Sequence, residues 1–138
     1  MTETASEAMP GSALGGVRMM LRLEGLTLFA GATLIYAFWA GPWWLYAVLF
    51  LAPDLSFAAY LAGPKIGALI YNAAHTTIIP FAMLTVGFGF APPLVLSIAL
   101  IWLAHIGIDR ALGYGLKYGY GFGFTHLGRI GRNTLAKG

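Results

Sequence analysis

The stretch PLVLSIALIWLAHIGIDRAL, residues 93–112, decides the fold. A helix that crosses a bilayer needs ~20 mostly apolar residues, and this segment supplies them. Its last turns also carry His105, Asp109 and Arg110. His105 and Asp109 are four residues apart, so they share one helix face. Trp102 continues that stripe. An acid and an imidazole within a lipid-soluble helix need a partner, a proton or a cation.

The rest of the chain agrees with a lipid environment. Of its 138 residues 59% are hydrophobic and only 9% are charged, against ~25% charged in a soluble domain. So few charges cannot cover a water-facing surface, and the mean hydropathy of +0.76 points the same way. The bilayer is the first partner expected. The absence of cysteine excludes disulfides, thiolate metal sites and cysteine catalysis. The basic balance, pI about 9.4, reads as a topology signal rather than as a nucleic-acid surface. A homo-oligomer is the second partner considered, since four short helices leave little room for a transport pathway in one copy.

Working back from residue 93, three more segments qualify as spans: about 19–40, 43–62 and 66–90. Pro42, Pro64, Pro92 and Pro93 sit at their ends, where proline is tolerated. Pro53 and Pro80 fall inside spans and are expected to kink them. Arg18 and Arg22 before an apolar run could suggest a signal peptide, but a cut after Ala40 would put Phe38 at −3, and Glu24 interrupts the run. The first helix is therefore read as retained. All eight lysines and arginines fall on one side: Arg18, Arg22, Lys65, Arg110, Lys117, Arg129, Arg132 and Lys137. The opposite turns carry no charge. The expectation is an all-α, four-helix transmembrane bundle of a bacterial inner membrane, with both termini cytoplasmic. Residues 1–17 read as a disordered tail, 18–113 as the membrane domain and 114–138 as an interfacial, basic C-terminal tail.

Depth along the helices places the buried polar groups in the cytoplasmic half of the membrane. At ~1.5 Å per residue, Asp54 lies ~16 Å and His75 ~15 Å from the basic face, with His105 ~10 Å deep and Asp109 a turn shallower. Glu24 enters the first span by about one turn. Small and polar residues face other helices rather than lipid, so these five side chains are expected to point into one cavity. Plainer roles exist for several. A lone histidine often serves as a helix–helix hydrogen-bond partner, Asp109 could pair with Arg110, and Glu24 with an arginine. Asp54 is harder to dismiss, because a mid-bilayer carboxylate costs ~2.5–3.5 kcal/mol on insertion scales.

Two imidazoles and two or three carboxylates form a ligand set for zinc, manganese or iron. Asp54, His75, His105 and Asp109 are the expected ligands of such a divalent metal. Glu24 is the expected general base or fifth ligand. An open coordination position would let the ion activate water for hydrolysis of a membrane-accessible substrate. The alternative is a non-catalytic membrane subunit or a small proton-coupled transporter, with the same residues as a structural or relay network. A third reading is a lipid-headgroup module. No G-x-S-x-G elbow and no G-x-x-x-x-G-K-[ST] loop is present.

The tail GYGLKYGYGFGF, residues 113–124, alternates glycine with bulky residues. It is expected at the membrane interface, with tyrosines at headgroup level and Lys117 snorkelling. His126 follows as an interfacial histidine or a further ligand at the cytoplasmic mouth.

Several motifs together carry a family resemblance: LRLEG (21–25), FLAPDLS (50–56), YLAGPKIGALIYNAAHT (60–76), IWLAHIGIDRALGYGLKY (101–118) and THLGRIG (125–131). The chain resembles the domain of unknown function 4260 family of small bacterial integral-membrane proteins. That resemblance implies a four-helix membrane protein and supplies no activity. A fainter one, to inner-membrane metal-dependent hydrolases, rests on PDLS with Asp54, AAHTT with His75 and AHIGID with His105 and Asp109, in that order. It implies metal ligation by those four residues. The chain departs from that pattern in lacking a second acid in PDLS and in carrying Asn72 where another histidine would stand.

Overall fold

The computed structural model describes residues 12–39, 41–90 and 92–130. The tail reading for residues 1–11, and the basic residues Arg132 and Lys137, lie outside the described residues.

Helix α1 spans Gly15–Trp39. Helix α2, Trp43–Phe50, passes into a 3₁₀ segment, Ala52–Ala62. Helices α3, Pro64–His75, and α4, Ile78–Gly89, follow, and α5 covers Pro93–Leu112. Taken as continuous stretches, Gly15–Trp39, Trp43–Ala62, Pro64–Gly89 and Pro93–Leu112 are each long and apolar enough to cross a membrane. The fourth has the bounds expected from sequence.

Both interior prolines act where expected, more strongly than as kinks. Pro53 has no N–H to give and its ring crowds the carbonyl four residues back, so the second stretch leaves α-geometry at Leu51. Asp54 then bonds to the Leu51 carbonyl at 3.1 Å, an i→i−3 contact. Pro80 does the same to the carbonyl of Thr76. Thr76 is extended, with ψ 144°, and the expected third helix is two helices joined at residues 76–77. Both breaks occur next to residues with ligating side chains, Asp54 and His75.

α5 is the axis of the molecule. Ala99, Leu100, Ile101, Leu103, Ala104 and Ile106 are all buried, while outward residues of the other elements, such as Leu61 and Phe38, are exposed. Their apolar side chains suit lipid contact. α1 lies against α5 with backbones touching. A Cβ on Gly107 would come within 2.5 Å of the Phe29 amide nitrogen, and one on Gly25 within 2.8 Å of the Gly107 carbonyl oxygen. Small residues at a membrane helix interface permit this approach. It fixes the rotation of α5, so that His105 and Asp109 turn toward α3 and the 3₁₀ segment.

Residues 114–130 return to the bundle. Strands β1, Phe124–Thr125, and β2, Gly128–Arg129, pair antiparallel, and Lys117 bridges to Thr125. Asn72 clamps the returning chain: its Nδ2 donates to the Lys117 carbonyl at 2.7 Å and its Oδ1 accepts from the Lys117 amide at 2.6 Å. The Ala13 amide donates to the His126 carbonyl at 2.7 Å. Both described ends of the chain thus meet at one end of the bundle.

Lys117 does not snorkel as expected. It is 3% exposed, with Nζ 3.8 Å from the centroid of the Phe122 ring and 5.0 Å from that of Tyr71. The backbone clamp at Asn72 holds the residue too close to α3 for its side chain to reach solvent, and the ring faces attract the cation instead.

Candidate metal centre

Three elements supply four side chains to one point. Asp54 comes from the first turn of the 3₁₀ segment, His75 from the last residue of α3, and His105 and Asp109 from one face of α5. Each offers one ligand atom, and all four atoms lie within 4.8 Å of one another. The two Nε2 atoms are 3.2 Å apart. Asp109 Oδ2 is 3.4 Å from His75 Nε2 and 3.3 Å from His105 Nε2. Asp54 Oδ1 is 3.3 Å from His105 Nε2 and 3.8 Å from His75 Nε2.

These separations have the size of a coordination polyhedron. Zinc–nitrogen and zinc–oxygen bonds of ~2.0–2.1 Å in tetrahedral geometry set ligand atoms ~3.3 Å apart. Four of the five separations above fall within about a tenth of an ångström of that edge. The longest involves Asp54.

The protonation of the cluster points the same way. His75 Nδ1 lies 2.9 Å from the Tyr71 carbonyl oxygen. A carbonyl only accepts, so Nδ1 carries the proton and a neutral His75 presents the lone pair of Nε2. That lone pair faces two carboxylates and a second imidazole. Protonating both rings would balance the two acids, but would aim two N–H groups at each other across 3.2 Å. One divalent cation would answer both demands: it would balance two carboxylates and accept a lone pair from each Nε2 atom. The Tyr71 carbonyl then plays the outer-shell part that orients a metal-bound histidine.

The rings are held from behind. Tyr71 stacks on His75 with centroids 3.7 Å apart and planes 10° from parallel. Phe50 meets the His105 ring edge-on at 5.4 Å. Trp102 donates from Nε1 to the Ala74 carbonyl at 2.6 Å, tying α5 to α3 next to the site. Both histidine side chains are almost wholly buried, whereas Asp54 is 38% exposed. An apolar cavity of about 320 Å³ is lined by Pro53 and Ala74, the chain neighbours of Asp54 and His75, with Ser56 and Trp102 among others; none of the four clustered residues lines it.

Of the five side chains expected in one cavity, four are brought together. Glu24 is not among them. It lines a different cavity with Arg110 and His126, because the Gly25–Gly107 contact presents the neighbouring face of α1. Asp109 pairs with the histidines and not with Arg110. His126 also stands apart from the cluster, and its Nδ1 accepts from the Leu116 amide at 2.9 Å. Burial and the nearby Arg110 guanidinium push its pKa below the usual histidine range. The contributions of Tyr71 and Phe50 were not anticipated from sequence. The i−4 spacing of Tyr71 to His75 was the available signal for the first.

The family model described as Domain of unknown function (DUF4260) matches residues 18–130. The match takes in all four ligand positions and the returning tail. No curated protein and no solved structure matches the chain.

Proposed function

We propose that this chain, which belongs to the DUF4260 family, is an inner-membrane protein built around an intramembrane divalent-cation site. One observation carries the reading: Asp54, His75, His105 and Asp109 set their ligand atoms 3.2–3.8 Å apart in five pairs, with two imidazole nitrogens and two carboxylates converging. Zinc suits a four-coordinate set of two nitrogens and two oxygens, and manganese or iron are the other ions for this donor class. The clustering of basic residues at the end shared by α1 and the tail supports a cytoplasmic placement of both termini.

Asp54 is the ligand that gives the site a reaction. It is the most exposed of the four and stands farthest from His75. Its withdrawal would leave three protein ligands and one open position, the arrangement of catalytic zinc sites. A bound ion there would supply an activated water. The apolar cavity lined by Pro53 and Ala74, next along the chain to Asp54 and His75, favours a membrane-accessible substrate for hydrolysis over a water-borne one.

Elemental analysis of detergent-purified protein tests the site. We expect close to one equivalent of a transition metal after loading, and about a tenth or less in His75→Ala or His105→Ala, because two nitrogens and their charge-balancing geometry are lost. Wild-type protein that holds no metal after loading would overturn the reading. Hydrolysis is tested separately, by mass spectrometry of bacterial lipids incubated with the reconstituted protein. Product that persists after chelation would remove the metal from the reaction. A C-terminal reporter that behaves as periplasmic would reverse the topology.

A further inference from the structure

A second polar cavity, of about 210 Å³, lies among α1, α4, the end of α5 and the hairpin. None of the four clustered ligands lines it. Glu24, Thr77, Arg110 and His126 do. Glu24 is the charged side chain that acts on Arg110, and among the described residues no ion pair closes between them. His126 accepts an amide N–H at Nδ1, so its neutral ring carries the proton on Nε2. The cavity therefore offers a guanidinium fork, an imidazole N–H and a hydroxyl beside one carboxylate. Its donors suit an anion and its acceptor suits a cation.

This cavity shares a wall with a long apolar groove. Glu24, Leu28 and Phe81 line both. The groove, about 540 Å³, runs along α1 from Met20 to Ile35, with Leu84, Leu100 and Leu103 on its other wall. Those fifteen helical steps span ~22 Å, which exceeds the ~15 Å hydrocarbon depth of one leaflet. A charged pocket at the basic end thus meets an apolar trough that runs along α1, a helix long enough to cross a membrane.

We propose that cavity and groove together bind one aminophospholipid, with its phosphate on Arg110 and the His126 N–H, its primary ammonium on Glu24, and an acyl chain along α1. Charge complementarity selects this occupant. A phospholipid without an amine sets Glu24 against unbalanced negative charge, and a quaternary ammonium has no N–H to give the carboxylate. The site is independent of the metal reading.

The full-length protein, reconstituted in nanodiscs with equal phosphatidylethanolamine, phosphatidylglycerol and phosphatidylcholine of identical chains, is re-extracted and its retained lipid weighed by native mass spectrometry. Only phosphatidylethanolamine can give Glu24 a charge-assisted N–H bond, so it should be retained about tenfold over the other two. Arg110→Gln should lose retained lipid of every class by about tenfold. Glu24→Gln should erase the preference for phosphatidylethanolamine over phosphatidylglycerol while leaving lipid bound. Gly31 lines the groove and a Cβ there meets nothing within 4 Å, so Gly31→Phe directs a ring toward the acyl-chain path and should lower retention of all three classes with their order unchanged. Equal retention of the three lipids by the wild type would overturn the proposal, as would Glu24→Gln or Gly31→Phe behaving as wild type.

Discussion

The Nε2 atoms of His75 and His105 face each other at 3.2 Å across the α3–α5 interface. Neutral imidazoles can share one proton at that distance, but both rings also face Asp109 Oδ2, at 3.4 and 3.3 Å. More acceptors converge than a shared proton can satisfy. A cation between them resolves the excess.

Chelation should therefore destabilise the protein. An ion present at a hundred times its dissociation constant adds ~2.7 kcal/mol to a protein that binds it only when folded. Thermal unfolding of wild-type protein in detergent should shift down when a chelator strips the metal. The double variant His75→Ala, His105→Ala should melt at the same temperature with and without chelator. A chelator effect of equal size in both would place the stabilising ion elsewhere.

Gly107→Ala should loosen α1 from α5. The added carbon would lie 2.5 Å from the Phe29 amide nitrogen, a backbone atom that cannot rotate aside. Overpacking of this kind costs ~1–3 kcal/mol. Unfolding in mixed micelles measures the loss, and Gly31→Ala, which meets nothing within 4 Å, serves as the matched control with little change.

Asn72→Leu should free the tail and spare the bundle. It leaves the Lys117 amide and carbonyl without the partners they have at 2.6 and 2.7 Å, at ~1–3 kcal/mol for each buried group left unmet. Hydrogen exchange should speed up over residues 114–130 while α5 amides keep their protection. Unchanged exchange in the tail would show that the strand pairing alone holds it.

Lys117 sets a pH dependence. Burial lowers its pKa to about 8, and the charge of Asp109 opposes part of that shift. The unfolded chain keeps the lysine protonated up to ~10.4, so between about 8 and that value it binds more protons than the folded one. Stability contributed by this group therefore rises with pH across that window, and the full penalty is present below it. Lys117→Met should raise stability at neutral pH and flatten the rise, as read from unfolding midpoints between pH 7 and 10.5.

Much of this architecture is determined by local chemistry and is legible in the linear chain. The bounds of α5 follow from an apolar run between Pro93 and the polar residues at its end. Pro53 and Pro80 mark the two helix breaks because a missing N–H and a ring clash act within one turn. The shared face of His105 and Asp109 follows from helical period, and the common depth of Asp54 and His75 from rise per residue. Rotation is a different matter. Glu24 lies in the same half of the membrane as the cluster, yet it sits in another cavity, because two glycines let the backbones of α1 and α5 meet and that contact sets which way each helix turns. Lys117 has the spacing of an interfacial anchor, yet it is buried under Phe122, because Asn72 on a distant helix clamps its backbone. Sequence determined which residues could ligate and how deep they lie, since both depend on neighbours along the chain. Tertiary structure decided which of them meet, since that depends on helix rotation and tail docking, both set by contacts between residues far apart in sequence.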